Sequence, residues 1–193
     1  MGKGRLEAFS DGVIAVIITI MVLELKSPHG AGLAALAPLT PALLSYVLSF
    51  VYIGIYWNNH HHMLHAAQHI DGRVLWANLH LLFWLSLVPF TTSWVGEHPT
   101  AAIPAAIYGV VFLMAGVAYL LLQQALVRRN GPDSLLARAI GRDLKGKLST
   151  LLYASAILLA FVRAWIADAI YVLVALIWFI PDRRIERSIL REP

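Results

Sequence analysis

Long apolar runs broken by short polar stretches set the organisation of the chain. Six runs predict helices, over about residues 9–25, 41–62, 74–95, 101–127, 148–162 and 164–180. Several approach the roughly 20 residues a helix needs to cross a hydrocarbon core of about 30 Å. Thr40 followed by Pro41 marks the start of the second, with Thr as N-cap and Pro at the first helical position. The last two runs are short and meet at Arg163. They predict a peripheral hairpin, with local bilayer thinning or snorkelling absorbing the mismatch. The fold class expected is an all-α integral membrane protein, a single domain over 1–193.

Composition agrees with this class. The chain is 59% hydrophobic and 13% charged, too apolar for a soluble globular domain. It has no cysteine, which excludes disulfides and thiolate metal sites. A net charge of +4 raises the question of nucleic acid, and its distribution answers it. Lys3, Arg5 and Arg73, the cluster Arg128, Arg129, Arg138, Arg142, Lys145 and Lys147, and Arg183, Arg184, Arg187 and Arg191 fall on one side of a six-span topology. Only Lys26 and Arg163 fall on the other. The positive-inside rule then places both termini in the cytoplasm. The basic residues are loop charges facing anionic lipid, and no nucleic-acid partner is expected.

The N-terminal run resembles a signal peptide, but Ser10 and Asp11 stand where its apolar core would begin, so the first span is expected to be retained. The stretch 128–147 predicts an interfacial helix capped by Asp133 or Ser134, with Leu136, Ile140 and Leu144 on one face. Trp57, Trp76, Trp94, Trp165 and Trp178 near span ends fit an aromatic belt.

Two segments carry candidate chemistry. In "NNHHHMLHAAQH", His61 and His65 are four residues apart, a spacing that lets two imidazoles share a metal. His62, His65 and His69 are also placed on one face. No HExxH accompanies them, and the nearby carboxylate is Asp71. A structural or proton-sensing histidine is the competing reading, and a membrane-embedded metal-dependent enzyme is the alternative function. No nucleophile elbow, Walker loop or TVGYG filter is present; "YIGIY" lies inside a predicted helix. The second segment is the first span. At 3.6 residues per turn, Gly12, Val16, Thr19 and Leu23 share a face, and Thr19 is the only hydroxyl deep in the span. That stripe fits close helix packing; it fits a pore lining if copies of it meet around an axis. Ser10 or Asp11 near the start of this span suits a helix cap, with Arg5 or the span-two histidines as ion-pair partners of Asp11.

"RLEAFSD", residues 5–11, resembles the Arg-x-x-x-Phe-Ser-Asp signature of the transmembrane protein 175 family of potassium channels. "GVIAVIITIMVLEL" fits the family's first pore helix, and the histidine-rich end of span two, "N…PFTTSW" in span three and "FIPDRRIE" extend the likeness. The resemblance implies a potassium-permeable cation channel without a carbonyl filter. It implies a homotetramer of six-span subunits, as in prokaryotic members, in a bacterial inner membrane, with the first helix lining a central pore. Potassium ions and membrane lipid are the other partners, and no cofactor is expected. Carried onto this chain, the constriction falls on Val16 and Leu23, with Thr19 between them. Arg5, Phe9, Ser10 and Asp11 tie helix one to its neighbours, and His60, His61 or His62 join that network. Family members usually carry Leu or Ile where this chain has Val16, so the first ring is wider here or the closed seal moves to Leu23. Glu24, just outside Leu23, either raises cation concentration at the outer mouth or serves the loop or lipid interface.

Overall fold

A computed structural model describes residues 2–134, 136–137 and 144–179. Arg138 and Arg142, the stretch carrying Arg183, Arg184, Arg187 and Arg191, and most of the predicted interfacial helix lie outside the described residues. The described residues form α-helices: α1 (Lys3–Leu23), α2 (Thr40–Ala66), α3 (Gly72–Ser86), α4 (Val88–Glu97), α5 (Ala102–Asn130), α6 (Leu144–Ala160) and α7 (Ala164–Phe179). A 3-10 stretch, Leu33–Leu39, leads into α2. Four segments are long and apolar enough to cross a membrane: Lys3–Leu23, Leu33–Ala66, Gly72–Glu97 and Ala102–Asn130. The chain is a multi-pass helical membrane protein.

The helices differ from the apolar runs in instructive ways. α1 starts at Lys3, six residues before the apolar run, and α5 continues to Asn130. Backbone hydrogen bonding does not stop where hydrophobicity does. The α2 N-cap is Leu39 and not Thr40, because the 3-10 stretch feeds directly into the helix. The third span is broken at Leu87. Pro89 lacks the N–H that would continue the ladder, and its ring crowds the carbonyl four residues back. The chain gives way there through a 3.2 Å bond from Leu87 N–H to the Trp84 carbonyl.

α5 is the central post, packing most extensively on α3 and α6. Its buried face is rich in small residues, including Ala105, Ala106, Gly109, Ala115 and Ala118. Such residues let helix backbones approach closely where lipid offers no hydrophobic drive for association. Gly109 is the tightest case: a Cβ there would collide with the Tyr171 hydroxyl and lie 2.9 Å from Ile157 Cγ1. At the end of α5, Gly131 adopts φ 96° and ψ 155°, a conformation almost confined to glycine. Just before it, Asn130 fastens the loop after α2. Its Oδ1 accepts from the Gln68 and His69 N–H groups at 2.9 Å, and its Nδ2 donates to the His69 and Leu126 carbonyls at 3.0 and 2.9 Å.

Polar side chains in the core are paired with one another or with backbone carbonyls. Thr92 Oγ1 lies 2.7 Å from Ser49 Oγ, which lies 3.0 Å from Tyr108 Oη. Tyr171 Oη donates to the Ala105 carbonyl at 2.9 Å, and Tyr52 Oη to the Tyr171 carbonyl. Among the described residues no buried side-chain polar atom lacks a partner. This is what a hydrocarbon surround demands, since no water is there to substitute. α6 and α7 turn around Arg163, whose N–H donates to the Leu159 carbonyl at 3.0 Å. Trp178 Nε1 donates to Ser149 Oγ at 2.7 Å. Trp178 and Trp57 thus serve internal bonds, whereas Trp76 and Trp165 remain exposed.

Replacing Gly109 by Ala overpacks the α5–α7 contact. Gly109→Ala is expected to destabilise the protein by about 1–3 kcal/mol, read as a lower unfolding midpoint in detergent, while Gly54→Ala, which meets open space inside α2, leaves the midpoint unchanged or raises it.

Candidate functional site

α1 lies against α2, α3 and α4. Its buried residues are Leu6, Ser10, Ile14, Ile17 and Met21, one face at helical spacing. Among these Ser10 is the only polar side chain, and its hydroxyl is not left unpaired. Ser10 Oγ donates to the Leu6 carbonyl at 2.8 Å and accepts from Asn78 Nδ2 at 2.9 Å. Asn78 Oδ1 in turn lies 2.7 Å from His60 Nε2. A carboxamide oxygen only accepts, so His60 Nε2 carries the proton and the chain runs in one direction, from His60 through Asn78 and Ser10 to the Leu6 carbonyl. Ser10 and Asn78 are 0% exposed and His60 2%. Three helices are joined by three side chains.

The other signature residues fall elsewhere. Asp11 neither caps α1 nor pairs with Arg5 or a histidine. The helix has already begun at Lys3, with Gly2 as N-cap, and Asp11 Oδ1 accepts from Trp57 Nε1 at 3.0 Å. That bond joins α1 to α2 on the exposed edge of their contact. Arg5 and Phe9 are exposed, and Arg5 takes part in neither ion pair found among the described residues. Lys3 does fasten the helix start, donating to the His65 carbonyl at 3.0 Å and lying 3.8 Å from Glu7.

Of the three candidate histidines, only His60 enters the buried network. His61 is exposed and its ring stacks between those of Trp57 and His65, at 5.9 and 6.2 Å between centroids. His62 is half-buried. His69 does not share a helical face with His62 and His65, because α2 ends at Ala66. Among the described residues no group of three or more His, Cys, Asp or Glu side chains is placed to hold a metal ion. The metal-dependent enzyme is therefore not favoured.

Val16, Thr19 and Leu23 lie on the opposite side of α1 from Ser10, Ile14, Ile17 and Met21. In the single chain Val16 is 55% and Leu23 79% exposed, and Thr19 and Gly12 are exposed with them. Thr19 Oγ1 donates to the Val16 carbonyl at 2.8 Å. Its one proton is thereby committed to the helix, and what the hydroxyl presents outward is lone pairs, which suits a cation. Beside this stripe runs an open groove between α1 and α4, lined by Phe9, Gly12, Val16 and Ile20 on one wall and Pro89, Phe90 and Trp94 on the other.

Sequence reasoning named the "N…PFTTSW" stretch without giving Asn78 a role, and did not choose among His60, His61 and His62. A signal for His60 existed. It continues the register of the buried positions Ser49, Ile53 and Leu64 on α2, while its two neighbours rotate off that face.

Residues 5–89 match the family model described as endosomal/lysosomal potassium channel TMEM175. A potassium channel of Chryseobacterium sp. is 51% identical to this chain, over 98% of each. A potassium channel of Streptomyces collinus is 33% identical, over 90% of each. The crystal structure of a lysosomal potassium-selective channel TMEM175 homolog from Chamaesiphon minutus has the same fold, with a TM-score of 0.78 and 28% identity over 96% of this chain and 97% of that one.

Removing Asn78 leaves His60 Nε2 without its acceptor and Ser10 Oγ with its bond to the Leu6 carbonyl alone. Asn78→Ala is expected to cost about 1–3 kcal/mol for each buried group left unpaired, seen as a large drop in the unfolding midpoint in detergent. Asn58→Ala, at an exposed position of α2, serves as the comparison and is expected to be near neutral.

Proposed function

The chain belongs to the TMEM175 potassium channel family, and we propose that it forms a potassium-permeable cation channel in which four copies gather α1 around a central axis. The observation that carries this reading is the two-sidedness of α1. One face is buried against its own subunit. The other presents Gly12, Val16, Thr19 and Leu23, a strip of small, apolar and single-hydroxyl residues. Rings of Val16 and Leu23 then form apolar constrictions that gate by dewetting: when narrow they exclude water and ions, and a modest dilation admits both. Thr19 oxygens between them replace part of an ion's hydration shell. No acidic ring stands at the constriction, so selectivity arises from dehydration and is modest. Both termini face the cytoplasm, and the protein sits in the bacterial inner membrane. The bacterial relatives named as potassium channels support the same activity.

Reconstituted into vesicles, the wild type is expected to pass potassium faster than sodium. Leu23→Ala and Val16→Ala are expected to raise flux severalfold and lower the potassium-to-sodium ratio, and Thr19→Ala to lower the ratio with less effect on total flux. Unchanged flux and selectivity in all three variants would overturn the assignment of this face to the pore.

A further inference from the structure

The C-terminal end of α1 meets the C-terminal end of α4 in a small polar cluster. Glu24 caps α1 directly after Leu23. Ser93 Oγ donates to Glu24 Oε2 at 3.3 Å, and Lys26 Nζ donates to Glu97 Oε1 in a short ion pair. The Glu97 carboxylate, as hydrogen-bond and charge partner, holds the Lys26 pKa above its ordinary value. Two carboxylates and one ammonium therefore gather here. Glu24 and Glu97 both line the outer end of the groove that carries Val16 and Ile20. Lys26 does not line that groove; it borders an adjoining pocket, together with the same two carboxylates. The carboxylates thus border a groove shared with Gly12 and Val16 of the strip assigned to the ion path, and their counter-charge comes from a residue that does not line it.

We propose that Glu97 lies on the outer approach to the ion path and that Lys26 is its compensating charge, so that the pair sets how strongly the mouth attracts cations. This rests on the channel reading above. The pair is solvent-exposed, with side chains 77% and 46% accessible, and exposed pairs add little to stability. Its effect is on the field at the mouth, where one sign of charge raises the local concentration of the opposite ion. Each subunit presents Glu24 and Glu97 against Lys26, a net charge of −1. Neutralising Lys26 makes this −2, neutralising Glu97 makes it 0, and neutralising both returns it to −1.

Single-channel potassium conductance of Lys26→Gln, Glu97→Gln and the double variant, recorded in bilayers at low and high salt, tests this. At about 0.01 M salt the Debye length is about 30 Å and the mouth is unscreened; at about 1 M it is about 3 Å. Lys26→Gln is expected to raise low-salt conductance about two- to threefold, and Glu97→Gln to lower it by a similar factor. The double variant is expected to return to the wild-type value, and all four proteins to converge at high salt. Equal changes in both single variants and in the double, independent of salt, would identify a mechanical tether and overturn the proposal, as would no change in any variant. A wild type that carries no cation current overturns the channel reading itself and this inference with it.

Discussion

A buried hydrogen-bond chain fixes the rotation of α1, and the proposed ion path depends on that rotation. Ser10, Asn78 and His60 link α1, α3 and α2 in sequence, each with its donor matched to the next acceptor. An unpaired polar group costs several kcal/mol where no water is available. Each residue step along a helix turns the side chain by about 100°. Turning α1 by one residue would withdraw the Ser10 hydroxyl from Asn78 and leave the buried Asn78 amide N–H without its acceptor. An all-apolar contact between the same helices would tolerate such a slip, because lipid is as apolar as leucine. The polar chain gives α1 one orientation instead of several.

The remaining features of α1 follow from that orientation. With Ser10, Ile14, Ile17 and Met21 turned inward, Gly12, Val16, Thr19 and Leu23 point away from the subunit. The bond from Asp11 to Trp57 holds the edge of the same contact, and Lys3 on the His65 carbonyl holds its start. The break at Leu87 places Pro89 and Phe90 of α4 opposite Val16 across a groove. α1, the helix proposed to bear the constriction, is thus fastened to its own subunit along one face and bordered by an open groove along another. That arrangement suits a gate, which needs a fixed frame and room for a small dilation.

Much of this was legible in the sequence, and the failures are physical ones. The spacing of Gly12, Val16, Thr19 and Leu23 gave the stripe, and the Arg5-to-Asp11 signature marked the helix that carries it. Spacing alone could not decide whether the stripe packs against a neighbour or stays open, because small residues serve both ends. Asp11 read as a cap because the helix start was taken from hydrophobicity; α1 in fact begins eight residues earlier, at Lys3. Its partner, Trp57, read as a membrane anchor because an indole at a span end suits both lipid and a carboxylate. Pro89 signals the break in span three, but the apolar run continues across it and hydrophobicity alone hides the break. Asn78 was the hardest to see. A lone carboxamide in an apolar helix announces that it needs partners, and only the fold says which ones.

The central claim is that the face of α1 opposite Ser10 lines the ion path. The chain has no cysteine, so each introduced thiol is a unique reporter on the native background. The deciding measurement is the current through reconstituted channels with single substitutions, during exposure to a membrane-impermeant cationic thiol reagent. Thr19→Cys and Leu23→Cys are expected to be blocked progressively and protected by high potassium, while Ile14→Cys and Ile17→Cys are unaffected. Block at Ile14→Cys and Ile17→Cys with none at Thr19→Cys and Leu23→Cys would contradict the account.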